Sequence, residues 1–210
     1  MAKTSPVRTR QTLNVEGQNI INRVRELAWT GQHAPAIDLA SQALDNSGKG
    51  GRPSAPTMMD LLDLRAESYI AQGKLDLAEK DAKAMMKLAK GGGRESGDRG
   101  QTPKPRPLSP ALHAQALNRL ALVQMRTGDL KAAVKTATTA MKTKHASPTV
   151  RAESLFRLSE AQMRVLQSEA AIKHGKESIE LYLTVGDKSG AGRAYWSVAC
   201  ALSDVRHMED

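Results

Sequence analysis

The sequence is poor in cysteine, in aromatic residues and in β-branched aliphatics. One cysteine, Cys200, among 210 residues leaves no disulfide scaffold. One Phe, two Trp and three Tyr make 3% aromatic, and Val and Ile number 10 and 6 against 30 Ala and 22 Leu. Ala and Leu favour helix, whereas β-branched and aromatic side chains favour strands, so an all-β sandwich or barrel is excluded. Long apolar runs are also missing: none reaches the roughly 18 residues needed to span a bilayer. The opening MAKTSPVRTRQT has charge but no apolar stretch like that of a secretory signal. Residues 1–15 read as a disordered basic tail, and the lone thiol suits a reducing cytoplasm.

Positive charge is what the chain has in excess. Lys and Arg number 31 against 22 acids, a formal net charge of +9. Such a balance raises nucleic acid or an acidic membrane surface as partners. Its distribution weakens that reading. Residues 1–12 carry +3, NSGKGGRPSAPT (46–57) carries +2 and GGGRESGDRGQTPKPRPLSP (91–110) carries +2, which leaves +2 for everything else. The last two segments are rich in Gly, Pro and Ser and read as flexible loops. Within the second, PKPRPLSP (103–110) has the composition of a polyproline II spacer.

The remainder repeats itself. QMRTGDLKAAVKTATTA (124–140) overlays QMRVLQSEAAIKHGKES (162–178) at an offset of 38 residues, and Leu117, Leu120 and Ala121 then fall on Leu155, Leu158 and Ser159. Upstream, AQGKLDLAEKDAKAM (71–85) and TGQHAPAIDLASQAL (30–44) match the same pattern. A turn glycine recurs as Gly31, Gly73 and Gly128. Small residues follow it: Ala36, Ala78, Ala133 and Ala171, then Ala40, Ala82, Ala137 and Gly175. Apolar positions have the helical period, and Ala or Gly is needed where two antiparallel helices approach closely. The spacing predicts helix pairs at 16–30 with 33–46, 57–72 with 75–90, 110–127 with 130–145, and 150–165 with 168–185. A lone helix is expected at 190–206, with Tyr195, Trp196, Val198, Ala199 and Leu202 packing on the fourth pair.

This pattern resembles the tetratricopeptide repeat (TPR) family over about residues 17–206. The resemblance implies an all-α fold, a right-handed superhelical array of antiparallel helix pairs with about nine helices. Four repeats near 16–46, 57–90, 110–145 and 150–185 and a terminal helix 190–206 would form one domain. Some family features are missing. The Trp near the start of the first helix is Ile20, Leu62, Leu117 and Leu155 here, and Leu166-Gln167 stands where the fourth repeat needs Gly-Asp. The long units ending in GDKSGAGRAYW (186–196) resemble repeats in regulatory arms of multidomain bacterial signalling proteins, and the apolar last helix suggests a longer array.

Catalytic and metal-binding patterns are not found. His33, His113, His145, His174 and His207 have no metal-ligand spacing with one another, Cys200 or a carboxylate, and GGGRESGDRG lacks the GK[ST] of a phosphate-binding loop. The chain therefore reads as a non-enzyme without catalytic residue, cofactor or metal. Lys131, Lys135 and Lys142 make a basic stripe without stacking aromatics, the pattern of a solvated face.

The TPR resemblance implies a concave groove lined by the first helix of each pair. Its register places Arg25 and Trp29, Asp63 and Glu67, Asn118, Met125 and Arg126, Phe156, Glu160 and Arg164, and Tyr195 on that groove as partner-binding residues, with the interhelical core an equal alternative for Trp29 and Phe156. The expected partner is a protein or peptide, or a neighbouring domain of a longer chain. The Lys and Asn positions with which chaperone-type TPR domains hold a C-terminal carboxylate are Ile21, Arg25 and Leu64 here, so that clamp is not reproduced. Nucleic-acid binding is the alternative.

Overall fold

The computed structural model describes residues 10–45, 53–91, 109–144 and 147–209. Among the described residues there are nine helices and no strand: α1 (Arg10–Trp29), α2 (His33–Asp45), α3 (Ala55–Ala71), α4 (Leu75–Gly91), α5 (Pro110–Thr127), α6 (Leu130–Met141), α7 (Pro148–Arg164), α8 (Ser168–Thr184) and α9 (Lys188–Glu209). The all-α pattern of paired helices is the one expected. Most of both expected loops (46–52 and 92–108, with most of the Pro-rich tract) and the first nine residues lie outside the described residues.

Serine followed by proline starts three helices. Ser54, Ser109 and Ser147 each accept a hydrogen bond from the backbone N–H three residues on, with Pro in the first two helical positions. The serine oxygen satisfies an orphan donor, and proline gives up no needed N–H there. The helices end in turns that need a left-handed residue. Gly31, Gly73, Gly128 and Gly186 supply it with φ of +78°, +71°, +86° and +75°. At the corresponding turn of the fourth pair Leu166 adopts φ +61°, the one positive-φ non-glycine residue among those described.

Two element boundaries differ from the sequence expectation by more than three residues. Helix α1 begins at Arg10, so part of the expected tail is helical. Helix α6 stops at Met141, short of 145. There Thr138, Thr139 and Thr143 donate side-chain hydrogen bonds to the carbonyls four residues back. Such back-bonding competes with the helical ladder and weakens it.

The described residues divide into two compact units, Met1–Leu88 and Ala89–Asp210, with α4 running across the division. In the first, α1 packs on α2 and α3, and α2 packs on α3. Its core gathers Ile21, Val24, Leu27, Ala36, Ala40 and Leu61. In the second, α5 packs on α6 and α7, α6 on α7, α7 on α8 and α9, and α8 on α9. Here the repeated small residues form the helix contacts. Ser159 donates to the Ala171 carbonyl across α7 and α8 (2.7 Å), and Ser178 returns a bond to the Ala152 carbonyl (2.8 Å). Gly175 lets α9 close in: a Cβ there would stand 2.4 Å from Cγ2 of Val198.

Helix α9 turns Val198 inward as expected, but the rest of its buried face differs from the expected one. Ala191, Ala194, Val198 and Ala201 are buried, whereas Tyr195 and Trp196 are 55% and 74% exposed, and Ala199 and Leu202 are exposed as well. Small side chains bring α9 close to α8; the Trp196 ring, turned inward, would hold the helices apart.

Candidate functional site

In the second unit the leading helices of successive pairs, α5, α7 and α9, pack in sequence. On α7, Glu153, Arg157, Glu160 and Arg164 are spaced i, i+4, i+7 and i+11, which places them on one face. The equivalent positions of α5, 38 residues earlier, are Gln115, Arg119, Leu122 and Arg126. Two arginines thus recur in the same places on both helices.

An ion network occupies the middle of this face. Arg157 bridges two carboxylates of its own helix, reaching Glu153 Oε1 and Glu160 Oε2 at 2.6 Å each. The Tyr182 hydroxyl of α8 donates a short hydrogen bond to Glu153. Arg193 of α9 lies 3.5 Å from Glu153 and is half exposed. Both guanidinium groups lie over the Phe156 ring, that of Arg157 4.9 Å and that of Arg193 5.2 Å from its centroid.

Burial acts to raise the Glu153 pKa. The positive charges of Arg157 and Arg193 and the Tyr182 hydrogen bond outweigh it and bring the carboxyl from 4.5 down to about 2. Burial and the adjacent Glu153 charge push the Tyr182 hydroxyl well above its ordinary value. Glu153 is therefore a fixed, paired anion at neutral pH and Tyr182 a fixed donor. The network holds the Glu153 charge in place. Among the described residues no three His, Cys, Asp or Glu side chains are grouped to hold a metal ion.

The expected partner-binding residues divide sharply. Arg126, Arg164 and Tyr195 are exposed, and Glu160 is half-buried in the ion network. Asn118, Met125 and Phe156, expected on the open groove, are instead 5%, 4% and 4% exposed. Phe156 packs among Ile179, Tyr182, Ala191, Ala194 and Val198. The reason is that a leading helix touches both its own partner helix and the leading helix after it, so more of its circumference is covered than a single stripe. In the first unit, Arg25 is exposed and donates to Asn22 (3.2 Å), and Trp29 is 85% exposed at the end of α1. Asp63 and Glu67 lie on α3, half-buried and exposed.

Sequence reasoning passed over Arg119, Arg157, Arg193 and Tyr182. The first two were signalled by the 38-residue offset, and Arg157 also by a glutamate one turn before it. Arg193 and Tyr182 reach α7 from other helices and leave no local signal. The same holds in the first unit for Arg65, whose guanidinium joins Asp81 of α4 and Ser41 of α2.

Paired antiparallel helices with turn glycines and repeated small contacts define a TPR-like helical-repeat fold. No protein-family model and no curated protein matches the sequence. Solved structures do match. The crystal structure of Bacillus thuringiensis PlcR in complex with the peptide PapR7 and DNA is similar with a TM-score of 0.68 and 11% identity, over 91% of this chain and 63% of that one. This chain thus spans somewhat less than two thirds of the PlcR chain. The TPR-like repeats of a putative kinesin light chain from Podosopora anserina are similar in two crystal structures. One gives a TM-score of 0.56 at 17% identity over 91% of both chains. The other gives 0.55, also at 17% identity, over 91% of this chain and 94% of that one. The likeness at these identities is one of fold.

Proposed function

We propose that the chain is a non-catalytic interaction module that binds a protein or peptide on its leading-helix faces. In this reading it is the regulatory or sensory arm of a larger signalling protein in the cytoplasm. One observation carries it. The face of α5 and α7 presents Arg126 and Arg164 at equivalent repeat positions, both exposed, beside an ion network in which Arg157 pairs with Glu153 and Glu160. A pair of exposed cations repeated on neighbouring helices suits recognition of a partner. PlcR, a chain of similar fold, is in complex with the peptide PapR7 and DNA, and its peptide lends support to this reading. Exposed Tyr195 adds an aromatic of the kind that anchors partners.

The test is a peptide array overlaid with the purified chain and with the Arg126→Glu/Arg164→Glu variant. Binding is expected for the parent and lost in the variant, with far-UV circular dichroism unchanged. A variant that binds the same peptides equally well assigns the wrong face. The alternative, a basic nucleic-acid-binding repeat protein, rests on the net charge of +9. It requires duplex binding that falls steeply with salt, and a blank gel shift at low salt removes it.

A further inference from the structure

We infer that the face of α5 and α7 takes an acidic peptide segment, whose carboxylates pair with Arg126 and Arg164 and with Arg193 at its edge. This rests on the interaction reading above and adds the chemistry of the partner.

The inference follows from where the charges of α7, and Arg126 and Arg193 beside them, are used. Glu153 and Glu160 are both held by Arg157 at 2.6 Å, and Glu153 also takes the Tyr182 hydroxyl. These two carboxylates are thus each paired with an arginine of the same helix. Arg126 and Arg164 are exposed and make no ion pair among the described residues. Arg193 reaches Glu153 at 3.5 Å and lies over the Phe156 ring, with its side chain half exposed. The positions on α5 that correspond to Glu153 and Glu160 are Gln115 and Leu122, so α5 repeats the arginines of α7 without repeating its acids. The surplus on this face is therefore positive and planar, suited to bidentate recognition of carboxylates.

A purely structural role for the two arginines is a real competitor. Both sit in the last turn of their helices, where a cation is favoured by the helix dipole. That role affects thermal stability and leaves peptide affinity alone. Nonspecific attraction to a basic chain is the second competitor. It is controlled on α6, where Lys131 and Lys135 are exposed and carry the same charge on another helix.

The experiment measures fluorescence anisotropy of labelled oligoglutamate, oligoglutamine and a short DNA duplex with the full chain at low salt. It compares Arg126→Gln/Arg164→Gln with Lys131→Gln/Lys135→Gln. The arginine pair is expected to weaken oligoglutamate binding by about tenfold or more, the lysine pair by less than about twofold, and oligoglutamine not to bind. Equal losses in the two variants overturn the inference in favour of bulk charge. Tighter, arginine-dependent binding of the duplex overturns it in favour of phosphate. If the array yields only neutral peptides, the acidic class is wrong while the interaction reading stands. If it yields none, that reading falls too.

Discussion

Arg65 of α3 grips Asp81 of α4 through two parallel hydrogen bonds, Nε to Oδ2 at 2.8 Å and Nη2 to Oδ1 at 2.7 Å. Its remaining Nη1 donates to Ser41 of α2 at 2.9 Å. One side chain thereby ties three helices of the first unit. The hydrogen bond with Asp81, followed by burial acting against it and the Asp81 charge, leaves the Arg65 pKa raised, so the cation is permanent.

Removing the carboxylate strands that cation. Asp81→Ala is expected to destabilise the first unit by about 3 kcal/mol, because a buried pair costs most when one member is lost. Arg65→Met/Asp81→Leu should recover much of the loss. Urea unfolding followed by circular dichroism checks both. A single variant as stable as the parent would show that the pair contributes nothing.

The second unit should lose stability in acid through Glu153. Its folded pKa of about 2 lies below the ordinary 4.5. Its contribution is then fully present above pH 4.5 and fades as the pH falls toward 2. Glu153→Gln is expected to be less stable than the parent at about pH 6, with the gap closing near pH 3. Denaturant midpoints at the two pH values measure this, and a gap that does not change with pH contradicts the assignment.

Leu166 bears a left-handed backbone, φ +61°, with an exposed side chain that gives nothing obvious in return. Leu166→Gly is expected to stabilise by roughly 0.5–1 kcal/mol, the relieved strain less the added freedom of the unfolded chain. A melting temperature that fails to rise would mean the leucine has a compensating contact.

Gly175 is the tight point between α8 and α9. Gly175→Ala improves helix propensity by about 1 kcal/mol, yet its methyl meets Val198 at 2.4 Å, and overpacking costs about 1–3 kcal/mol. Net destabilisation is expected, with Val198→Ala rescuing the double variant relative to additivity. Thermal melts of the four-member cycle decide it; strict additivity would separate the two residues.

The repeats were legible because they are local. Turn glycines and alanines three and four residues apart impose the helix pair wherever they occur, and the 38-residue offset shows it recurring. The Ser-Pro starts at 54–56, 109–110 and 147–148 were equally present in the sequence, although composition alone made two of them look like loop.

The candidate site was legible only in part. Exposed Arg126, Arg164 and Tyr195 follow from helical register, which is a property of one helix. Register did not reveal that Phe156, Asn118 and Met125 turn inward, because that depends on a second helix covering the same side chains. Nor did it reveal Arg193 and Tyr182 converging on Glu153 from α9 and α8.

The sequence by itself determined the helices, their pairing and their turns, since backbone conformation and close contact act over a few residues. The tertiary structure alone decided which charges are spent and which are spare. Charge pairing acts through space, between side chains dozens of residues apart, and only the packed helices set those distances.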